Sequence, residues 1–354
     1  MWRKRILALG LSVAMLAALG GCSGQRAEES PKVPDSAVEE DPFASGAIPI
    51  KIAHYFAESH PLNVALETVF KPMIEEQTQG RYVVEIYPNN ILGSEKEYTE
   101  ATRLGALEAC IPSTLLSDQF PKLRIMSFPW IFDDVEVGSK VLNDEEVKKD
   151  ILGPLERADL IGMGFTVNGV RALSNNIRPI NTLADCKGLK IRMPELDHFV
   201  DNGKAMGFNV VTMSMSEVFT ALQQGVIEGQ ENPPTTLLAS GWYEVQPYLA
   251  LTRHQISYDW IAFNREFFQG LPPEDQAVIR AACDATIQAE LKLYIDNENK
   301  DIETLKEKGV QVTEPDRTEF VAAGEKVVQK YADSIPEFKE ILALIREKEE
   351  VYQK

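Results

Sequence analysis

Residues 48–88 decide the fold: "IPIKIAHYF" (48–56), "NVALETVFKPMIEEQTQG" (63–80) and "YVVEIYP" (82–88). The first segment alternates apolar residues with the period of a strand. In the second, Val64, Leu66, Val69, Phe70, Met73 and Ile74 return at helical spacing, and Gly80 supplies a stop. The third reads as a strand again. Strand, helix and strand in succession build a parallel sheet. A helix is expected near 95–105 and a further strand in "ALEACI" (106–111). "LIGMGFTVNG" (160–169), "GLKIRMP" (188–194) and "QISYDWIAFN" (255–264) carry the pattern through the second half. The expected class is α/β with largely parallel strands.

Several local signals refine this. In "SMSEVFTALQQG" (214–225), Ser214 and Glu217 have capping-box spacing, and Val218, Ala221, Leu222 and Val226 mark a buried stripe. A helical pattern from Pro272 to Gly309 predicts a rod of roughly 50 Å, long enough to run across two domains. The glycines of "GMGFTVNG" depart from dinucleotide-binding spacing and read as a tight turn after a strand. "GVIEGQENPP" (225–234) reads as the polar exit of a helix, closed by Pro233 and Pro234.

The first residues are of another kind. Arg3, Lys4 and Arg5 precede a 16-residue uncharged run, Ile6–Gly21. A membrane span needs about 20 residues, so this length suits a signal peptide. Leu19-Gly20-Gly21-Cys22 resembles a lipobox, so lipidation is expected at Cys22 with cleavage just before it. The expected division is a signal peptide at 1–21, then the anchor site and a disordered linker at 22–47, rich in Pro, Ser, Glu and Asp. No later stretch is apolar enough to span a membrane. The mature chain should lie outside the cytoplasm on a lipid tether.

The 354-residue chain carries a formal charge of −18. Loss of residues 1–21 removes three positive charges and leaves −21, which argues against nucleic acid as a partner. Only four histidines occur, none with zinc-ligand spacing, and hydrolase, P-loop and EF-hand motifs are missing. Cys110, Cys186 and Cys283 are far apart and expected to be buried or unpaired thiols. No metal, cofactor or catalytic group is expected.

Three polar residues recur near the ends of expected strands: Arg171 just after "LIGMGFTVNG", Arg192 in "LKIRMPE" and Asn232 in the polar exit. Ligands of open α/β sheets settle outside the carboxyl ends of strands. An arginine presents a planar fork that matches a carboxylate.

"NGVRALSNNIRPINTLADCKGLKIRMPE" (168–195), "MSMSEVFTALQQGVIEGQENPP" (213–234) and "YEVQPYLALTRH" (243–254) resemble the DctP-like extracytoplasmic solute receptors of tripartite ATP-independent periplasmic (TRAP) transporters. The resemblance runs from about Ile50 to at least Lys308. It implies a two-domain periplasmic-binding-protein-like fold with hinge strands and a long domain-spanning helix. The domains expected are 48–167 plus 257–297 and 168–256 plus 298–354. It also implies a small-molecule carboxylate ligand and TRAP membrane permease subunits as partners. By the same resemblance Arg192 grips the carboxylate, Arg171 supports it and Asn232 lies beside them. His54, Glu95, Ser113 and Met215 fall where related receptors contact ligand. Some sialic-acid receptors of the family have an acidic and an aromatic residue where this chain has Ser113 and Met215, which argues against sialic acid. Trp260 and His198 could also face the cleft, although His198 alone reads as a surface residue. Glu and Gln around Asn232 are expected to brace the arginines. The ligand stays open among C4-dicarboxylates, sugar acids and aromatic or hydroxy monocarboxylates. The alternatives are a sensory receptor of the same fold and an enzyme built on this scaffold.

Overall fold

The computed structural model describes residues 46–353. The expected signal peptide, Cys22 and nearly all of the linker lie outside the described residues. The strands are β1 (Ile48–Ala53), β2 (Tyr82–Tyr87), β3 (Ala109–Cys110), β4 (Leu160–Asn175), β5 (Lys190–Met193), β6 (Asn209–Thr212), β7 (Gly229–Asn232), β8 (Tyr248–Asn264) and β9 (Gln311–Thr313). They form one sheet in the order β2-β1-β3-β8-β4-β7-β5-β6, with β9 also on β8. Pairing is parallel toward both edges, as expected, but antiparallel where β4 and β8 meet each other and where they meet β7 and β3.

β4 and β8 hold the centre, with 16 and 17 residues. Ordinary strands have about 3–10. Nearly every residue in both is buried, polar ones such as Asn168, Arg171, His254 and Asp259 included. Their mutual register shifts at Gly162/Gly164, Val167/Gly169 and Arg171/Leu173. Such bulges bend a strand and raise its twist.

The glycines expected in a tight turn therefore lie inside a strand. They make room for helices. A Cβ on Gly164 would sit 2.6 Å from Ile287 Cδ1, and one on Gly169, at φ +129°, 2.5 Å from Tyr294 Cε2. Ile287 and Tyr294 belong to the long helix, Pro273–Glu307, whose 35 residues match the sequence pattern closely.

The core changes identity along these shared elements. One apolar cluster takes β4 up to Val170, β8 from Ile256, and the long helix from Ile279 to Tyr294. Two others take Ala172 and Leu173 of β4, Leu249 to Leu251 of β8, and Ile302 and Leu305 of the helix. Residues Val327–Ile345, near the C-terminus, pack into the first cluster. Three separate apolar clusters thus make up the core, and β4, β8 and the helix pass from the first to the others. Among the described residues no helix is long and apolar enough to cross a membrane. Cys110, Cys186 and Cys283 are free, buried thiols.

Candidate functional site

Buried central strands tolerate few charges, because a charge taken from water must find a partner. Arg171 on β4 and Asp259 on β8 are therefore conspicuous, being 4% and 1% exposed. Both face a cavity of about 50 Å³ that also receives Arg192 from β5 and Asn232 from β7. Glu95, at the first turn of the helix Glu95–Arg103, Ser113 and Met215 complete the set of sequence-predicted residues in the lining.

The two arginines differ in one decisive respect. Arg171 is already paired: its Nε and Nη2 donate to the two carboxylate oxygens of Glu231, and Nη1 donates to Ser257 Oγ at 3.3 Å. His254 Nε2 lies 3.2 Å from the same carboxylate. Although burial raises the Glu231 pKa, Arg171 and His254 more than reverse this and pull it to about 2. Arg192 has no such partner. Its Nε and Nη2 donate to the Met213 carbonyl at 3.0 and 2.8 Å, and among the described residues no carboxylate pairs with it. Burial lowers its pKa to about 10, still charged at neutral pH. A guanidinium 4% exposed, with no carboxylate paired to it among the described residues, has the chemistry to receive an anion.

The rest of the lining is rich in acceptors. Glu95 Oε1 accepts from Ser113 N and Oγ, both at 2.7 Å, and burial holds its pKa above the ordinary value. Asp259 Oδ2 accepts from Tyr55 Oη at 2.7 Å and from Asn168 Nδ2 at 3.2 Å. Burial, with help from the Glu95 charge, lifts the Asp259 pKa to about 7.

"GQEN" is the largest departure from the sequence reading. Rather than the polar exit of a helix, it is strand β7, buried along its whole length between β4 and β5. Its side chains are bound in sequence-specific ways. Glu231 braces Arg171, while Gln230 braces Asn232 instead of an arginine: Asn232 Nδ2 donates to Gln230 Oε1 at 2.6 Å, and Gln230 Nε2 donates to Ser174 Oγ at 2.9 Å. Pro234 opens a short helix, Pro234–Ala239. Arg171 likewise lies within β4 and not just after a strand.

His54 and Trp260 lie outside the lining. His54 is fully buried against Asn63 Oδ1 at 3.1 Å, and burial lowers its pKa to about 4. Trp260 is fully buried and donates from Nε1 to the Ser113 carbonyl at 2.8 Å, which fixes the loop presenting Ser113. His198 is no surface residue. Its ring stacks on Phe128 at 5.3 Å, and its Nε2 meets Ser127 Oγ at 2.7 Å. Tyr55, Asn168, Ser257 and Asp259 line the cavity and were missed. Their signal was a polar residue inside an apolar strand, as in "SYDWIAF" (257–263).

A buried cation at a cavity between the central strands has the chemistry to hold a small anionic solute. The chain belongs to the bacterial extracellular solute-binding protein family 7 (DctP), whose model matches residues 52–334. It is similar to a crystallised TRAP periplasmic solute-binding protein of Haemophilus influenzae with bound L-gulonate. That likeness has 32% identity and a TM-score of 0.82, over 85% of this chain and 99% of that one. A TRAP periplasmic solute-binding protein of Sulfitobacter with bound β-D-galacturonate is 27% identical, with a TM-score of 0.79, over 84% and 99% of the two chains. The C4-dicarboxylate-binding periplasmic protein DctP of Rhodobacter capsulatus is 30% identical over 84% of this chain and 89% of that one. The protein is thus an extracytoplasmic receptor of the TRAP type.

Proposed function

We propose that the cavity receives a sugar acid, an aldonate or uronate, with its carboxylate on Arg192, and that the receptor delivers it to a TRAP membrane permease. The unpaired Arg192 guanidinium carries this reading. Once a first carboxylate has met Arg192, a second finds no free cation among the described residues of the lining. Arg171 is neutralised by Glu231, and Glu95 and Asp259 repel a further negative charge. Hydroxyl groups, which donate, find acceptors in those same two carboxylates. This favours a polyhydroxylated monocarboxylate over a C4-dicarboxylate. It agrees with the gulonate and galacturonate named for two of the similar structures.

The site residues proposed are Arg192, Arg171, Asn232, Glu95, Ser113 and Met215 around the ligand, with His54 and Trp260 supporting the walls. The cavity of about 50 Å³ is well below the ~300–1,000 Å³ of small-molecule sites, so the walls must part to admit such an acid. The lobes proposed are 48–167 plus 257–297 and 168–256 plus 298–354, with the C-terminal helices crossing back onto the first. They would swing about β4 and β8. L-Gulonate or D-galacturonate at 100 times its dissociation constant should add ~2.7 kcal/mol of stability, and scattering should show a smaller radius of gyration once it is bound. A thermal shift larger with succinate than with either sugar acid would sink the substrate class; an unchanged radius at saturation would sink the hinge.

The lipobox-like run ending at Cys22 supports a lipid anchor holding the receptor at the membrane. The N-terminal peptide of the mature protein should carry acyl chains at Cys22, and Cys22→Ala should release the protein to the soluble fraction. An unmodified wild-type N-terminus would refute the anchor.

A further inference from the structure

Asp259 is the second buried charge of the cavity without a counter-ion. Among the described residues no cation pairs with it, although it is 1% exposed. Its two known partners, Tyr55 Oη and Asn168 Nδ2, both donate to Oδ2. Asn168 Nδ2 also meets Tyr55 Oη, at 2.7 Å, so the three side chains hold one another. The Asn168 Oδ1 atom is buried with no partner. Three separate elements build this group: the segment after β1 gives Tyr55, β4 gives Asn168 and β8 gives Asp259. A carboxylate fixed so firmly on one oxygen leaves the other, Oδ1, to meet whatever enters the cavity.

We propose that Asp259, held in place by Tyr55 and Asn168, accepts hydrogen bonds from ligand hydroxyls and thereby selects hydroxylated acids. The proposal rests on the sugar-acid reading above and assigns the specificity of that site to one residue. Arg192 recognises what all organic acids share. Asp259 recognises what only hydroxylated ones carry, because an ionised carboxylate accepts but cannot donate. A ligand lacking hydroxyls leaves that buried charge without a new donor, which is costly.

A pH signature follows. Ionisable groups on several elements bear on Asp259: Tyr55, Glu95 and Arg171, with Tyr98 and Glu290 also coupled to it. Burial and the Glu95 charge oppose its ionisation, while Tyr55, Asn168 and Arg171 favour it; the balance falls at about 7. Hydroxyl donors stabilise the ionised form, so binding releases a proton near neutrality. Affinity then rises as pH increases through about 7 and levels off above it. Glu95 also has a raised pKa and contributes its own slope, so the variant comparison isolates Asp259.

Calorimetry with L-gulonate, D-galacturonate and L-glutamate, between about pH 5.5 and 8.5, tests this. Asp259→Asn keeps the shape and removes a buried charge, so it should fold, as thermal melts will verify. It should bind the better sugar acid roughly ten- to a hundredfold more weakly at high pH, with a flatter pH profile. Tyr55→Phe removes a donor to the carboxylate and should move the profile's midpoint upward. Wild-type binding of a sugar acid that Asp259→Asn matches within about threefold, on an unchanged pH profile, would overturn the role of Asp259 and leave the substrate class standing. Binding of neither sugar acid by wild type would overturn the substrate class and this proposal with it. Tighter binding of L-glutamate would also overturn it, since an ammonium group would then be the partner of the acidic wall.

Discussion

Arg192→Ala should weaken ligand binding by roughly a hundred- to several-thousandfold. Removing one member of a buried charge pair typically costs ~3–5 kcal/mol. Arg192 is positioned for this by local structure. Its Nε and Nη2 are tied to the Met213 carbonyl, which fixes the plane of the guanidinium before ligand arrives. Preorganisation of this sort reduces the entropy lost on binding. Arg192→Lys tests the geometry apart from the charge. It keeps the cation but loses the fork and the pair of hydrogen bonds donated to the Met213 carbonyl, so it should bind better than the alanine variant and remain clearly impaired. Calorimetry with the acid that most stabilises wild type decides the matter, beside melts showing each variant folded. Binding by folded Arg192→Ala within about threefold of wild type would place the carboxylate elsewhere.

Glu231→Ala should damage the fold more than the chemistry. It strands Arg171, a cation 4% exposed, and should cost ~3–5 kcal/mol of stability. With an unfolding entropy of about 2.1 cal/mol/K per residue, a chain of this size loses roughly 1–2 °C of melting temperature per kcal/mol, so a drop of roughly 4–8 °C is expected. The pH dependence has a definite sign. Glu231 has its pKa depressed to about 2 in the folded state. Its contribution is therefore full above the ordinary carboxylate range near pH 4.5 and is lost as pH falls through about 2. The gap between wild type and Glu231→Ala should be widest at pH 7 and narrower at pH 3, as read by urea unfolding. A gap under about 1 kcal/mol at pH 7 would mean the pair behaves like a surface ion pair. Arg171→Ala should weaken binding less than Arg192→Ala, since Glu231 already occupies the Arg171 fork.

The two variants separate recognition from architecture, and the same division governs what could be read from the chain. The α/β class was legible because period-two and helical patterns are set by which side chains face a core. The long helix was legible to within a few residues for the same reason. The central strand β4 was cut short in the reading, since Asn168 and Arg171 look like the end of a strand. They lie inside it because the cavity opens there, where Asn168 Nδ2 donates to Tyr55 and Arg171 donates to Glu231 and Ser257. "GQEN" has the composition of a turn. Only its pairing to β4 and β5, distant in sequence, makes it a strand. Arg192 and Asn232 were singled out by residue chemistry joined to the family resemblance, and both line the cavity. Asp259 was hidden in a strand that was read over 255–264, short of its start at Tyr248. His198 was misplaced because its burial depends on Phe128 and Ser127, some seventy residues away. Local pattern thus reports elements, whereas the partners that bury a polar group come from tertiary pairing.

The structure of the receptor in complex with L-gulonate or D-galacturonate tests the central claim most directly. Both ligand carboxylate oxygens should lie within about 3 Å of the Arg192 guanidinium, with hydroxyls directed at Asp259 and Glu95 and with the Arg171–Glu231 pair intact. A carboxylate seated on Arg171 after displacing Glu231, or a ligand outside the cavity between β4, β5 and β8, would contradict the account.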